Sequence, residues 1–149
     1  MELRKGKEIR ALSWKQPFAS LMLYGKIETR TWGTKYRGLV LICVSKIPYS
    51  EKTILNISGY TQKSRMIDVF TKEKLILPHG KAIAIGKLID CRPMEIGDED
   101  KCFVQYYPDL WCHIYEDVKP IKSFEWKGVQ GWKTLDEKTI EQIKIQKLK

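Results

Sequence analysis

The sequence has no long hydrophobic run and no hydrophobic beginning. A membrane-spanning helix needs about eighteen or more apolar residues in a row, and no such stretch is present. The first ten residues, MELRKGKEIR, are mostly charged and contain no apolar core of a secretory signal. These absences argue against a membrane partner and predict a cytosolic or nuclear protein, which we assign to the cytoplasm.

Cysteine and histidine are scarce, and their spacing argues against two kinds of site. The four cysteines include no Cys-x-x-Cys pair, so neither a structural zinc nor a dithiol redox site is indicated. We expect reduced thiols, with Cys43 inside one apolar run and Cys91 at the end of another. The two histidines, His79 and His113, accompany no nucleophile signature of a Ser-His or Cys-His mechanism. The sequence therefore predicts neither a metal nor a cofactor.

What is present fits one folded unit. With 149 residues and 43% hydrophobic content, the chain is long enough to bury its own core. We predict a single domain over residues 1–149. No sequence feature specifies an oligomer, so the chain is treated as a monomer.

The charge balance is strongly basic and favours a polyanionic partner. The chain carries 27 basic and 18 acidic residues, a formal net charge of +9. Neutralising phosphates releases counterions, so such an excess favours nucleic acid. The alternative is a solvated lysine surface, because lysines are spread along the whole chain. Basic and aromatic residues alternate at 30–32, 35–37 and 126–127, which is typical of proteins that hold unpaired bases and phosphates together. Each tryptophan could equally belong to the core.

The densest group of informative residues lies between Ser13 and Gly38. Residues 9–12 predict a strand, and Pro17 suits the first position of a short helix that Gly25 ends in the left-handed conformation. Residues 27–32 alternate in a β-rich composition and predict a second strand, on which Arg30 shares a face with Glu28 and Trp32.

The rest of the chain predicts further strands with helices grouped between them. The uninterrupted apolar run 39–44 indicates a central strand buried on both faces. Ser50 can cap a helix that starts at Glu51 and breaks at Gly59. A second, amphipathic helix is expected over 62–74, with an apolar side of Met66, Ile67, Val69 and Phe70.

The second half is expected to alternate strands with loops before a terminal helix. Gly86 marks a bulge or a close backbone approach in the strand 82–91. We predict a loop or short helix over 92–109, a strand over 111–115, a loop or edge segment at 118–121 and a tight glycine loop at 127–131. Asp136 caps a helix from Glu137 to Gln146 that docks through Ile140, Ile143 and Leu148. The pattern predicts an α+β fold with a mixed β-barrel.

Five segments of the chain resemble a known family, and they are Ser13-x-x-Gln16-Pro17-Phe18-Ala19-Ser20-Leu21, Gly25 to Trp32, Tyr36-Arg37-Gly38-x-x-x-Ile42, Tyr115 to Ile121 and Lys127-Gly128-Val129-Gln130-Gly131-Trp132. On these segments the chain resembles the ASCH domain, the activating-signal-cointegrator homology domain of the PUA-like superfamily. The match omits residues 49–78 and the last helix. It implies a PUA-like mixed β-barrel with a short helix after the first strand, a two-helix insertion and a C-terminal helix. It also implies a basic cleft between the helix of residues 17–24 and the barrel that binds nucleic acid, with RNA favoured over DNA.

The resemblance and the charges together select candidate binding residues. Lys15, Lys26, Arg30, Lys35 and Arg37 are expected to contact phosphates, Trp14 or Trp32 to stack on a base, and Gln16 or Gln130 to read a base edge. Ser13 and Lys127 complete the predicted interface. For Gln16 a structural role is the alternative, with its amide tying a barrel end to the helix.

An enzymatic function is the second hypothesis. Small bacterial proteins with an ASCH-like fold remove the acetyl group from 4-acetylcytidine with a Lys-x-x-Thr pair and a Glu from a later strand. Lys26 and Thr29 have that spacing. However, aligning the neighbouring Ile and Arg puts Gly25 and Glu28 at the two positions, and residues 85–88 contain no acid. We expect Glu28 to hold Lys26 charged as a surface pair, so we predict that Lys26 and Thr29 are not a catalytic dyad.

Overall fold

Six strands form one curled mixed sheet, in a computed structural model that describes residues 7–145. The strands are β1 (Arg10–Trp14), β2 (Glu28–Arg30), β3 (Gly38–Val44), β4 (Lys81–Pro93), β5 (Trp111–Glu125) and β6 (Lys133–Thr134). Their order across the sheet is β2-β5-β4-β3-β1-β6. Only β1 and β3 pair in parallel among these neighbours. The predicted α+β class is confirmed, and the curled sheet is compatible with a mixed barrel.

Helices occupy the connections between the strands. They are α1 (Phe18–Leu21), which continues as a 3₁₀ turn over Met22–Tyr24, α2 (Glu51–Glu73), α3 (Glu99–Cys102), which follows a 3₁₀ turn over Ile96–Asp98, and α4 (Glu137–Gln142). No helix in the described part of the chain is long and apolar enough to cross a membrane.

Strand β3 is the centre of the fold because both of its faces are apolar. Val40, Ile42 and Val44 belong to one buried cluster, whereas Leu39, Leu41 and Cys43 belong to another. This alternation follows from the two-residue period of a strand. The predicted central strand, buried on both faces, is confirmed.

The opening stretch folds largely as its residues predict. The first helical residue is Phe18 rather than Pro17, and Gly25 ends the 3₁₀ turn with φ of 81°. Strand β2 is shorter than expected, since it ends at Arg30 and leaves Trp32 in the bend that follows. Glu28 and Arg30 do share a face, where their side chains form an ion pair.

Helix α2 begins and breaks at the predicted residues. The Ser50 hydroxyl accepts a hydrogen bond from the Thr53 N–H at 3.2 Å, and Gly59 interrupts the helix with φ of 76°. A side chain at Gly59 would also collide with Gln105, because a Cβ there would lie 2.5 Å from its amide nitrogen. The predicted apolar side is wrong at Ile67, which is 52% exposed, whereas Met66 is buried.

Strands β4 and β5 form the longest pairing, and β5 differs from its prediction. The register shifts at Gly86, and a Cβ there would lie only 2.9 Å from Val118 Cγ2, so both the bulge and the close approach are confirmed. Strand β5 continues to Glu125, so residues 118–121 are not a loop but an edge segment, the second of the two predicted alternatives. Pro120 is tolerated because β2 covers only Trp111 to His113, which leaves that part of β5 on an edge.

The terminal helix is capped as predicted but is shorter. The Asp136 carboxylate accepts a hydrogen bond from the Thr139 N–H at 2.8 Å. The helix ends at Gln142 rather than Gln146, since Ile143 has an extended backbone. Ile143 is buried, whereas Gln146, Leu148 and residues 1–6 lie outside the described residues.

Three of the cysteines are buried in these cores. Cys43, Cys102 and Cys112 are fully buried free thiols, and Cys91 is half-buried. Burial raises the pKa values of Cys43, Cys102 and Cys112 above that of an ordinary thiol. These three are therefore neutral packing groups at pH 7. No cluster of three metal-ligating side chains occurs among residues 7–145.

Candidate functional site

A cleft of about 950 Å³ lies where the carboxyl ends of β1 and β3 face the start of β2 and the loop 127–131. Phe18 of α1, Ile57 of α2 and Val104 add apolar walls. Eight of the predicted interface residues line this cleft, together with Thr29: Ser13, Trp14, Lys15, Lys26, Arg30, Trp32, Lys127 and Gln130.

Three charged side chains of the opening stretch form a chain of contacts in the cleft wall. Lys26 Nζ lies 3.0 Å from Glu28 Oε1, and Arg30 Nε lies 2.9 Å from Glu28 Oε2. Lys26 Nζ also donates a hydrogen bond to the Ile27 carbonyl at 3.0 Å. The Lys26 and Glu28 side chains are only 1% and 8% exposed. The expected surface pair is therefore a buried pair, because Lys26 precedes β2 and its side chain turns inward.

The two cations keep Glu28 ionised in spite of its burial. Burial alone raises the pKa of a carboxyl group. The charges of Lys26 and Arg30, with hydrogen bonds from Lys26 and the Thr29 N–H, outweigh that effect and lower the pKa of Glu28 below its ordinary value. Two positive charges and one negative charge thus meet here, which leaves one positive charge in excess.

Arg30 is held against two indole rings. Its guanidinium carbon lies 4.9 Å from the centre of the Trp14 ring and 6.0 Å from that of Trp32. Its Nη2 donates to the Ser13 carbonyl at 2.9 Å. These contacts fix the guanidinium plane, while Nη1 makes no hydrogen bond within residues 7–145. A fixed guanidinium with a free N–H edge is suited to an oxygen acceptor.

The two candidate stacking residues have different surroundings. Trp14 is only 2% exposed and packs edge-on against Tyr115, so its ring belongs to the cleft floor. Trp32 is half-buried and packs edge-on against His113 and Trp132. His113 Nε2 lies 2.9 Å from the Trp32 carbonyl, which can only accept, so this nitrogen carries the proton.

The cleft rim is basic and more accessible. Lys46 and Lys127 are exposed, whereas Lys15 is half-buried and donates to the Ile47 carbonyl at 3.2 Å. Five basic side chains and the single carboxylate of Glu28 line the cleft, a net charge of +4. The cleft therefore concentrates much of the chain's formal charge of +9 in one place.

Three predicted interface residues lie outside the cleft. Gln16 is buried, and its amide accepts from the Ser20 N–H and donates to the Ser20 hydroxyl and the Pro78 carbonyl. This is the structural role that the sequence left open, because the amide ties α1 to the segment before β4. Lys35 and Arg37 are exposed beyond the cleft, and Arg37 donates to the carbonyls of Thr34 and Tyr36.

Sequence reasoning missed Lys46. Strands β1 and β3 are parallel and in register to their last residues, with Trp14 opposite Val44. Lys15 and Lys46 follow those strand ends closely, so they lie at the same edge of the sheet. The sequence does show a basic residue just after each of these two strands. It indicates a shared site only when the strands are known to pair in parallel, because their carboxyl ends then lie at the same edge of the sheet.

Lys26 and Thr29 both line the cleft, but they are not hydrogen-bonded to each other. The ammonium group of Lys26 is used by Glu28 and the Ile27 carbonyl.

Comparison with known proteins returned no matching family model and no significantly similar curated protein.

Proposed function

We propose that the protein is a nucleic-acid-binding module of the ASCH type, with a PUA-like fold and RNA as its partner. The observation that carries this proposal is the cleft, which combines a net charge of +4 with the aromatic side chains of Trp14, Phe18, Trp32 and Tyr49. Cations at the entrance and aromatic surface inside are the two components by which single strands are held.

The rim supplies the phosphate contacts in this proposal. Lys15, Lys46 and Lys127 surround the entrance, and the two exposed ones are free to follow a flexible backbone. Such contacts position a strand without reading its sequence. The loop 127–131 adds backbone N–H groups, none of which is used by the fold within the described residues.

Single-stranded nucleic acid suits this cleft better than a duplex. The aromatic and apolar walls of the cleft suit the flat faces of unpaired bases, whereas a duplex keeps its base faces stacked inside the helix. We therefore expect an unpaired segment of RNA to be the ligand.

The salt dependence of binding tests this proposal. Each phosphate neutralised on a single strand contributes about 0.7 to the slope of log K against log salt, so three rim lysines predict a slope of roughly −2. Lys46→Gln should reduce the slope by about 0.7 and weaken binding for every sequence. Fluorescence titration of labelled single- and double-stranded oligonucleotides at rising salt measures both quantities.

Lys72→Gln is the matched control, because Lys72 is an exposed lysine of α2 outside the cleft. It removes the same charge and should leave the slope nearly unchanged. Equal effects of the two substitutions would mean that nucleic acid is attracted by a diffuse lysine surface, and absence of binding at low salt would reject the proposal altogether.

The 4-acetylcytidine deacetylase hypothesis has less support. A catalytic lysine must be free to take the proton of the threonine hydroxyl. The ammonium of Lys26 instead contacts the Glu28 carboxylate and the Ile27 carbonyl, each at 3.0 Å, and is not hydrogen-bonded to Thr29. Incubation with 4-acetylcytidine should therefore release no cytidine above background, as followed by chromatography.

A further inference from the structure

The cleft floor contains polar groups that the fold leaves without partners. The indole N–H of Trp14 is buried and makes no hydrogen bond to any described residue. The Nε of Arg30 is used by the Glu28 carboxylate at 2.9 Å, whereas its Nη1 makes no hydrogen bond within residues 7–145.

Unpaired donors at a buried position are costly and need an explanation. Most buried polar groups in native proteins have a partner, and each exception points to a bound molecule or a functional role. Trp14 and Arg30 both line the cleft, and their side chains are in contact. The indole N–H can only donate, and so can the guanidinium. A group that completes this floor must therefore be a hydrogen-bond acceptor.

The charge at the floor points the same way. Lys26 and Arg30 face the single carboxylate of Glu28, so one positive charge is left without a counter-charge. His113 adds none, because burial lowers its pKa and keeps the ring neutral at pH 7. An electron-rich oxygen in contact with Arg30 would be stabilised by this excess charge.

The apolar walls of the cleft favour the carbonyl oxygen of a base over a phosphate oxygen. Phe18, Val104 and Leu110 line the cleft with apolar surface, and a phosphate placed against them would lose its water without enough compensation. A planar base offers apolar faces to these walls and a carbonyl oxygen at its edge. Phosphates are better satisfied by the exposed lysines of the rim.

We propose that the cleft takes one unpaired nucleotide, and that the ring carbonyl of its base accepts hydrogen bonds from the Trp14 indole N–H and the Arg30 guanidinium. This inference rests on the proposed function and adds a preference to it. Uracil, cytosine, guanine and hypoxanthine carry a ring carbonyl, whose two lone pairs can accept from both donors, whereas adenine offers only ring nitrogens with one lone pair each. The cleft thus discriminates against adenine, and its volume of about 950 Å³ admits purines as well as pyrimidines.

Mononucleotides test this preference on the unmodified protein. Inosine and adenosine monophosphates have nearly the same shape and differ at position 6, where one has a carbonyl and the other an amino group, and at N1, which carries a proton only in inosine. We expect inosine and uridine monophosphates to bind about tenfold more tightly than adenosine monophosphate, the difference of one charge-assisted hydrogen bond, and ribose 5-phosphate to bind more weakly than all three because it has no base. Isothermal titration calorimetry measures the four dissociation constants.

The variant Trp14→Phe removes the N–H and keeps an aromatic ring. It should make the preference for inosine over adenosine monophosphate clearly smaller, because only the Arg30 donor then remains for the carbonyl. Trp126→Phe is the control, because Trp126 is also buried but lies outside the cleft, and it should keep the preference. Circular dichroism checks that both variants are folded, and if Trp14→Phe is not, the ligand series on the unmodified protein decides alone.

The outcomes separate this inference from the proposed function. Equal affinities for inosine and adenosine monophosphates, or equal affinities for nucleotide and ribose 5-phosphate, would overturn the carbonyl preference. So would a folded Trp14→Phe protein whose preference for inosine is as large as that of the unmodified protein. If single-stranded RNA nevertheless binds with the expected salt dependence, the proposed function stands. If neither RNA nor any nucleotide binds, both proposals fall.

Discussion

Replacing Glu28 by Gln should destabilise the protein strongly, because it removes the only carboxylate from a buried group of charges. The Lys26 side chain is 1% exposed and Glu28 is its only ion-pair partner within residues 7–145. Removing one member of a buried pair leaves the other charge without compensation, which costs roughly 3–5 kcal/mol. The glutamine oxygen can still accept one of the hydrogen bonds that Glu28 receives, so we expect the lower end, about 3 kcal/mol. This is a large share of a typical domain's stability of about 5–15 kcal/mol.

Urea unfolding followed by tryptophan fluorescence gives the change in free energy of unfolding. Glu125→Gln provides the matched control, because Glu125 is 86% exposed and lies 3.8 Å from Lys81 in a surface pair. An exposed pair contributes about 1 kcal/mol or less, so this variant should unfold almost like the unmodified protein.

A double substitution tests the reason for the effect. Lys26→Met removes the buried cation, so combining it with Glu28→Gln should cost clearly less than the two single losses together. Additive losses would show that the two charges are not coupled. A loss below about 1 kcal/mol for Glu28→Gln would mean that the pair behaves as an exposed one, and the argument from burial would be refuted.

Two further predictions concern pH and packing. Burial lowers the pKa of His113 below its ordinary 6.5, because it disfavours the charged ring. The stability that the neutral ring contributes is therefore complete above pH 6.5 and is lost as the pH falls below that value. Between pH 6.5 and 5 the free energy of unfolding should decrease by up to about 1.4 kcal/mol per pH unit, and His113→Gln but not His79→Gln should flatten the curve measured by urea titration. Gly86→Ala places a Cβ 2.9 Å from Val118 Cγ2 and should cost about 1–3 kcal/mol in thermal unfolding. Gly97→Ala is the control, because a Cβ there meets no atom within 4 Å and should leave the stability nearly unchanged. If Gly86→Ala lost no more stability than Gly97→Ala, the overpacking argument would be wrong.

The sequence predicted those elements that local chemistry determines. Gly25 and Gly59 have the positive φ values that end a helical segment, and the apolar run after Gly38 can only be a strand buried on both faces. Ser50 accepts the N-terminal hydrogen bond of α2 as expected. In each case the decisive interactions lie within a few residues of one another.

Features that depend on distant partners were harder to predict. Lys26 is buried next to Ile27, whose N–H donates to the carbonyl of Lys101, far away in sequence. The extent of β5 past Pro120 depends on its pairing with β4, which continues to Glu125 opposite Lys81. The group of cleft cations could be predicted only in part, since Lys46 reaches the rim through the parallel pairing of β1 with β3.

The pairing of β1 with β6 has a consequence for how the cleft is completed during synthesis. Arg10 of β1 lies opposite Thr134 of β6, so the two strands of this pair are synthesised at very different times on the ribosome. The loop 127–131 lies between β5 and β6 in the chain, so its second end is anchored when β6 pairs with β1. A nascent chain that has exposed only β1 to β5 therefore lacks one wall of the cleft. The complete cleft is assembled only after residue 134 has left the exit tunnel.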